Sequence, residues 1–188
     1  MTNTQRSYFE KMYAAKRDPW EFETSWYEQR KYSLTIGALP KARYTYAFEP
    51  GCSIGVLSSL LAARCEKLLA TDVIPSALEQ TRQRLQHLPH VIVEWAAIPE
   101  DWPDGSFDLI VLSELAYYFD AETLGKIVEL ARSSIVRGGT LIGVHWRGIT
   151  DYPLCGDEAH LILNGSSGFE RIVHCVEPDT LIDVWERV

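Results

Sequence analysis

Three carboxylates and two glycines in this chain are spaced as a ligand site would need them. Glu49 opens the run Glu49-Pro50-Gly51-Cys52-Ser53-Ile54-Gly55, and Asp72 follows 23 residues later. Glu114 stands further on, directly after an apolar run. A glycine turn between a strand and a helix lets the backbone approach a bound molecule closely, and the helix start offers free amides. A carboxylate ending the next strand has two oxygens with which to accept charge-assisted hydrogen bonds from a ligand. A carboxylate or imidazole further along the sheet can take a proton from a nucleophile. Glu114, with Tyr117 beside it, and His145 are the candidates for that role.

The turn admits more than one reading. In the plainest, Gly51 and Gly55 only relieve crowding where a strand bends into a helix. A dinucleotide site would carry G-x-G-x-x-G, which needs glycine where Ser53 and Val56 stand. An acid and a proline before the first glycine are also foreign to that fingerprint.

Composition narrows the classes. The chain has 188 residues, 46% hydrophobic and 23% charged, enough for one domain with its own core. A single domain over 1–188 is expected, with a helical cap over 1–40 and a core over 41–188. The net charge of −8 repels phosphate backbones, so nucleic acid is not an expected partner. Cys52, Cys65, Cys155 and Cys175 form no C-x-x-C pair, which argues against a zinc site and for reduced thiols. No apolar run approaches the ~20 residues of a membrane span, so a cytoplasmic protein without membrane contact is expected.

The elements that must position these residues follow from periodicity. Residues 4–16 read as an amphipathic helix, and a second runs from Thr24 or Ser25 to Leu39, stopped by Pro40. Strand and helix then alternate: strand 44–49, helix 55–64, strand 67–73, and a helix opened by a Ser76–Glu79 capping box. Strands at 91–96 and 107–113 and a helix at 121–135 come next. That helix stops before Gly138-Gly139, and the fifth strand is 140–146. Residues 169–176 and 180–188 read as a hairpin across "EPD". The order specifies an α/β fold: a doubly wound, Rossmann-like sheet of seven mostly parallel strands. It has an antiparallel C-terminal hairpin and helices on both faces.

"AFEPGCSIG" followed by "ATDV" resembles the first two motifs of the class I S-adenosylmethionine-dependent methyltransferases. "DGSFDLIVLSE" and "RGGTLI" are similar to that family's fourth- and fifth-strand motifs. Further, "DPWEFETSWYEQRKYSLTIGALP", "LSELAYYF" and "VHWRGITDYPLCGDEAH" resemble the nodulation protein S group. The resemblance implies S-adenosyl-L-methionine as cofactor. It also implies contacts from Glu49, Gly51, Cys52, Ser53, Gly55, Asp72, Val73, Ala97, Ile98 and Ser113. Ser53 departs from the family's middle glycine, and Ala97 stands where relatives place an acid for the adenine. Arg30 is the nominee for the methionine carboxylate, ahead of Lys31, because its planar fork pairs bidentately.

What is known of the group implies N-methylation of an amine on an amino-sugar, an oligosaccharide or a related small molecule. Methyl transfer of this kind needs no metal, and Asp157, Glu158 and His160 form no family metal motif. Glu114 or His145 would take the proton, and Tyr117, alone or with Tyr118 and Phe119, would shape the pocket. Asp151, Asp157 and His160 would line a polar loop suited to a cationic sugar, or Asp157 would be a solvated helix cap before "EAHLIL". Two alternatives stay open: methylation of a hydroxyl oxygen, and a binding module without catalysis. The oligomeric state is not legible.

Overall fold

The computed structural model describes residues 3–188, with side chains from residue 6 onward. Helix α1 (Asn3–Ala15) and helix α2 (Trp26–Ala38) precede the sheet. The sheet comprises β1 (Tyr44–Pro50), β2 (Cys65–Asp72), β3 (Val91–Trp95), β4 (Phe107–Ser113), β5 (Ile135–Trp146), β6 (Phe169–Val176) and β7 (Thr180–Arg187). Between these strands run α3 (Val56–Ala62), α4 (Pro75–Leu85), α5 (Ala121–Ser134) and α6 (Gly156–Asn164).

The strand order is β3-β2-β1-β4-β5-β7-β6, with β7 antiparallel to both of its neighbours. The first five strands pair in parallel. The seven-stranded, mostly parallel sheet is therefore the architecture the alternating pattern implies. The order reverses between β1 and β4, so a crevice opens beyond Pro50 and Ser113, the usual place for a ligand in such sheets.

Burial on both faces explains the unbroken apolar run of β4. Phe107, Ile110 and Leu112 pack with Leu124, Ile127 and Val128 of α5. Leu109 and Val111 face the opposite way, toward Leu57 and Leu61 of α3. Each fully buried aliphatic side chain of this kind contributes about 1.5–3 kcal/mol. Among the described residues, no helix is long and apolar enough to cross a membrane.

Two local expectations are corrected. The Ser76–Glu79 capping box does not form, because Pro75 occupies the first position of α4 and puts Ser76 inside the helix. Gly138-Gly139 does not separate helix from strand: β5 begins at Ile135, paired with Phe107, and runs through both glycines. Gly138 takes φ +72°, and the ladder shifts register between Phe107 and Leu109 to accommodate the bend. Of the two readings of the segment after β5, the helix start is the one observed, since residues 156–164 fold into α6 with Asp157 in its first turn.

Candidate active site

A cavity of about 350 Å³ lies over the crevice between β1 and β4. Its floor is the sheet end and its cover is the N-terminal region. Phe9 and Tyr13 of α1 pack against Ile54, Val73 and Ile74, while Trp20 and Phe22 stack with centroids 5.6 Å apart. All four N-terminal rings line the cavity.

At one end sits the glycine turn. Gly51 and Gly55 take φ +75° and +76°, which other residues rarely adopt. A Cβ on Gly55 would lie 2.8 Å from Thr81 Cγ2 of α4, so glycine there lets turn and helix close together. Ser53 also takes a left-handed conformation, φ +52°, the backbone geometry a glycine would adopt without cost. Three contacts hold it. Its amide donates to Asp72 Oδ2 at 2.9 Å, its carbonyl accepts from Thr81 Oγ1 at 2.6 Å, and its hydroxyl meets the Tyr13 hydroxyl at 2.5 Å.

Asp72 is fixed by the same bond and by Ile74, whose amide donates to Oδ1 at 2.9 Å. Burial raises its pKa, and the Ile74 and Ser53 amides work against the rise. Glu49, 2% exposed, leaves Oε2 without a hydrogen-bond partner among the described residues. Burial pushes its carboxyl up to about 8, with the Ser58 hydroxyl opposing the rise and Asp72 adding to it.

At the other end β4 runs into Glu114, which adopts φ +52°. A left-handed glutamate at a strand end is a strained position of the sort found at functional sites. Lys31 Nζ donates to Glu114 Oε1 at 2.8 Å and to Glu28 Oε1 at 2.9 Å. The Tyr117 hydroxyl donates to Glu114 Oε2, which also receives the Trp146 amide at 3.3 Å. Burial opposes the charge on Lys31, but Glu114 and Glu28 outweigh it and keep its pKa above the ordinary value. Burial and the Glu114 charge drive the Tyr117 phenol upward.

Of the residues expected at the site, Gly51, Ser53, Asp72, Val73, Ile98, Ser113, Glu114 and Tyr117 line the cavity. Tyr118 and Phe119 line it too. Glu49, Cys52, Gly55 and Ala97 are not among the residues that line it. The Ala97 amide is taken by Asp101 Oδ2 at 3.1 Å.

Two nominees are placed elsewhere. Arg30 faces away from the cavity and pairs with Glu177 at the turn between β6 and β7, and the helix face that meets the cavity carries Lys31 instead. His145 is fully buried beneath the site. Its Nε2 accepts the Ala116 amide at 2.9 Å, which requires a neutral ring with its proton on Nδ1. That proton is directed at His160 Nε2, 2.9 Å away, and His160 Nδ1 in turn reaches Asp183 Oδ2 at 2.7 Å. Burial, His160 and Lys31 all lower the His145 pKa. With its lone pair occupied by the Ala116 amide, His145 supports the backbone of the 114–119 segment. Asp157 pairs with Arg147 at 3.0 Å and Asp151 is exposed, so the expected polar loop contributes neither acid to the cavity.

Sequence reasoning missed Glu28, Trp20, Phe22 and Tyr152. Glu28, Lys31, Tyr32 and Thr35 are the buried positions of α2, at helical spacing. That pattern was present in the sequence but carried by polar residues.

The model of nodulation protein S matches residues 2–143. The chain belongs to the nodulation protein S family. Nodulation protein S of Sinorhizobium fredii is 34% identical over 107 residues, covering 56% of this chain and 50% of that protein. The Rhizobium tropici protein is 30% identical over 117 residues, covering 62% and 47%. The chain thus spans about half the length of the curated relatives it matches. A candidate methyltransferase from Pseudomonas syringae is 43% identical, with TM-score 0.78, covering 87% of this chain and all of that one. The N-methyltransferase NodS from Bradyrhizobium japonicum, solved with S-adenosyl-L-homocysteine, shares the fold. Its TM-score is 0.82 at 22% identity, with 97% and 98% coverage.

Proposed function

We propose that the protein methylates a nitrogen of an amino-sugar, an oligosaccharide or a related small amine, using S-adenosylmethionine. The observation that carries this reading is one cavity joining two ends: a glycine turn with Asp72, and a strand-end carboxylate with Tyr117. Membership of the nodulation protein S family supports the amine as acceptor.

The residues fit the cofactor on two counts. A buried Glu49 oxygen lacks a donor, and a Cβ at Gly51 would sit 3.1 Å from Leu115, so the turn is shaped for close approach. The two oxygens of Asp72 each hold one amide and keep a lone pair for the ribose hydroxyls. Ile98, 5% exposed, offers an apolar surface for the base. Lys31 already serves two carboxylates, so hydroxyls such as those of Ser53 and Tyr13 remain for the polar end of the methionine.

When bound, the cofactor supplies a methyl on a sulfonium, so that nitrogen–carbon bond formation accompanies carbon–sulfur cleavage and sulfur leaves as a neutral thioether. The chain's own part is alignment, exclusion of water and proton removal. The N-terminal rings cover the cavity, and holding the reactants in line can lower a barrier by ~7–11 kcal/mol. Glu114, oriented by Lys31 and Tyr117, accepts the proton that the acceptor nitrogen must lose. Oxygen methylation would need the same carboxylate to deprotonate a far weaker acid, without His145 to help.

Calorimetric titration with S-adenosylmethionine, S-adenosylhomocysteine and NADH tests the donor site. Micromolar binding of the first two, weakened in Asp72→Ala and absent for NADH, is expected. No binding of either sulfur ligand would favour a module without catalysis.

A further inference from the structure

The cluster at the acceptor end has an unbalanced charge. Glu28 and Glu114 share one ammonium, that of Lys31, and the Glu28 and Lys31 side chains are 8% and 3% exposed. Two carboxylates against one cation leave a net negative charge in a covered cavity. Glu28 also has an incomplete shell. Its Oε1 accepts from Lys31, while Oε2 is buried and makes no hydrogen bond among the described residues. The Tyr32 phenol is a hydrogen-bond neighbour of this carboxylate, and its pKa is raised by burial, then by the Glu28 charge and by that hydrogen bond, so that only Oε2 is left open. A buried carboxylate oxygen without a donor is costly, and an incoming N–H group would remove that cost.

A second consideration concerns the donor. A sulfonium is itself a cation, so a protonated amine entering beside it is repelled unless local negative charge compensates. The excess carboxylate of this cluster supplies that charge, on the cavity wall shared by Glu28 and Glu114.

We propose that Glu28 is a specificity-determining residue. With Glu114 it forms a cradle for a protonated primary amine, Glu28 Oε2 accepting one of the acceptor's N–H bonds. The inference rests on the methyl-transfer reading of the same cavity. Glu28 binds the amine as a cation, and Glu114 then receives the proton that frees the nitrogen's lone pair. Hydroxyl congeners of the same shape bring no positive charge and leave the cradle uncompensated.

The test is the initial rate of methyl transfer by the full chain to a panel of primary amines that includes glucosamine and its tetramer. Wild type, Glu28→Gln and Glu28→Asp are compared, with S-adenosylhomocysteine affinity measured beside each as a check on folding. Glu28→Gln is expected to raise KM for the amine at least tenfold, with kcat changed less and product affinity within twofold. Glu28→Asp, which keeps the charge, should recover part of the loss. A Glu28→Gln enzyme with wild-type KM overturns the proposal. So does a parallel fall in product affinity for both variants, which would make Glu28 a helix support only. Wild-type turnover of hydroxyl acceptors but of no amine would overturn the nitrogen reading and this inference together. Amine turnover untouched by Glu28→Gln would overturn the inference alone.

Discussion

Two charged clusters lie one above the other in this molecule, and they are built on opposite plans. In the upper one a lysine sits between two carboxylates and lines the cavity. In the lower one an aspartate, Asp183, sits between His160 and His174, with Arg171 at 3.6 Å. The lower cluster is complete. The buried His145, His160 and Asp183 each have both polar atoms engaged, and hydrogen bonds from His160 and His174 hold the Asp183 carboxyl low despite burial. The upper cluster is incomplete: Glu28 leaves an oxygen unpartnered, and Glu114 sits in a strained backbone conformation. A filled network holds structure, and an unfilled one at a strained position is ready for a ligand.

The sharpest way to break this contrast is Glu114→Gln. Loss of a positioned proton acceptor should lower the methyl-transfer rate by about 10²–10⁴-fold, while donor affinity by calorimetry stays unchanged. Asp183→Ala should act the other way, on stability. Stranding two histidines costs about 3 kcal/mol, the lower end for a buried pair because His174 and Arg171 are partly exposed. For a chain of this size the melting temperature should fall by about 6–12 °C.

Glu49, beside the glycine turn, adds a pH dependence of its own. Its folded pKa of about 8 exceeds its ordinary 4.5, so the folded form holds the proton more tightly than the unfolded one. Stability of the ligand-free protein should therefore fall as pH rises from about 4.5 to about 8, by up to about 1.4 kcal/mol per pH unit. Urea melts should show this slope flattened in Glu49→Gln. The smallest effect is expected at Arg30. The Arg30–Glu177 pair is exposed, and Arg30→Ala should leave the dissociation constant of S-adenosylhomocysteine within twofold of wild type. A larger loss would return Arg30 to the donor site.

The legibility of these regions in the sequence differs for a physical reason. The donor turn is local chemistry, a strand, glycines with positive φ and an acid ending the next strand, so neighbouring residues reveal it. Even the departure at Ser53 was visible, although the sequence did not disclose the Tyr13 hydroxyl that meets it from α1. The acceptor end is assembled from Glu28 and Lys31 on α2 and Glu114 and Tyr117 after β4. Helical phase separates Lys31 from Arg30 by about 100°, yet the buried face of α2 is largely polar, and hydrophobic patterning could not choose between them. His145 was misplaced for a related reason. β5 is a central strand buried on both faces, so alternation with Ile142 and Val144 does not say which way the ring points. The early start of β5 was hidden by Gly138-Gly139, which read as a stop.

The contrast is tested most directly by the pH–rate profile of methyl transfer to the glucosamine tetramer from pH 5 to 9. Wild type, Glu114→Gln and His145→Gln would be compared. Glutamine at 145 keeps an oxygen for the Ala116 amide but cannot act as a base. The expected result is a loss of about a hundredfold or more in Glu114→Gln. His145→Gln should keep most of its rate and an unchanged profile. Collapse of the rate in His145→Gln, with Glu114→Gln still active, would contradict the assignment of the upper cluster to chemistry and the lower one to support.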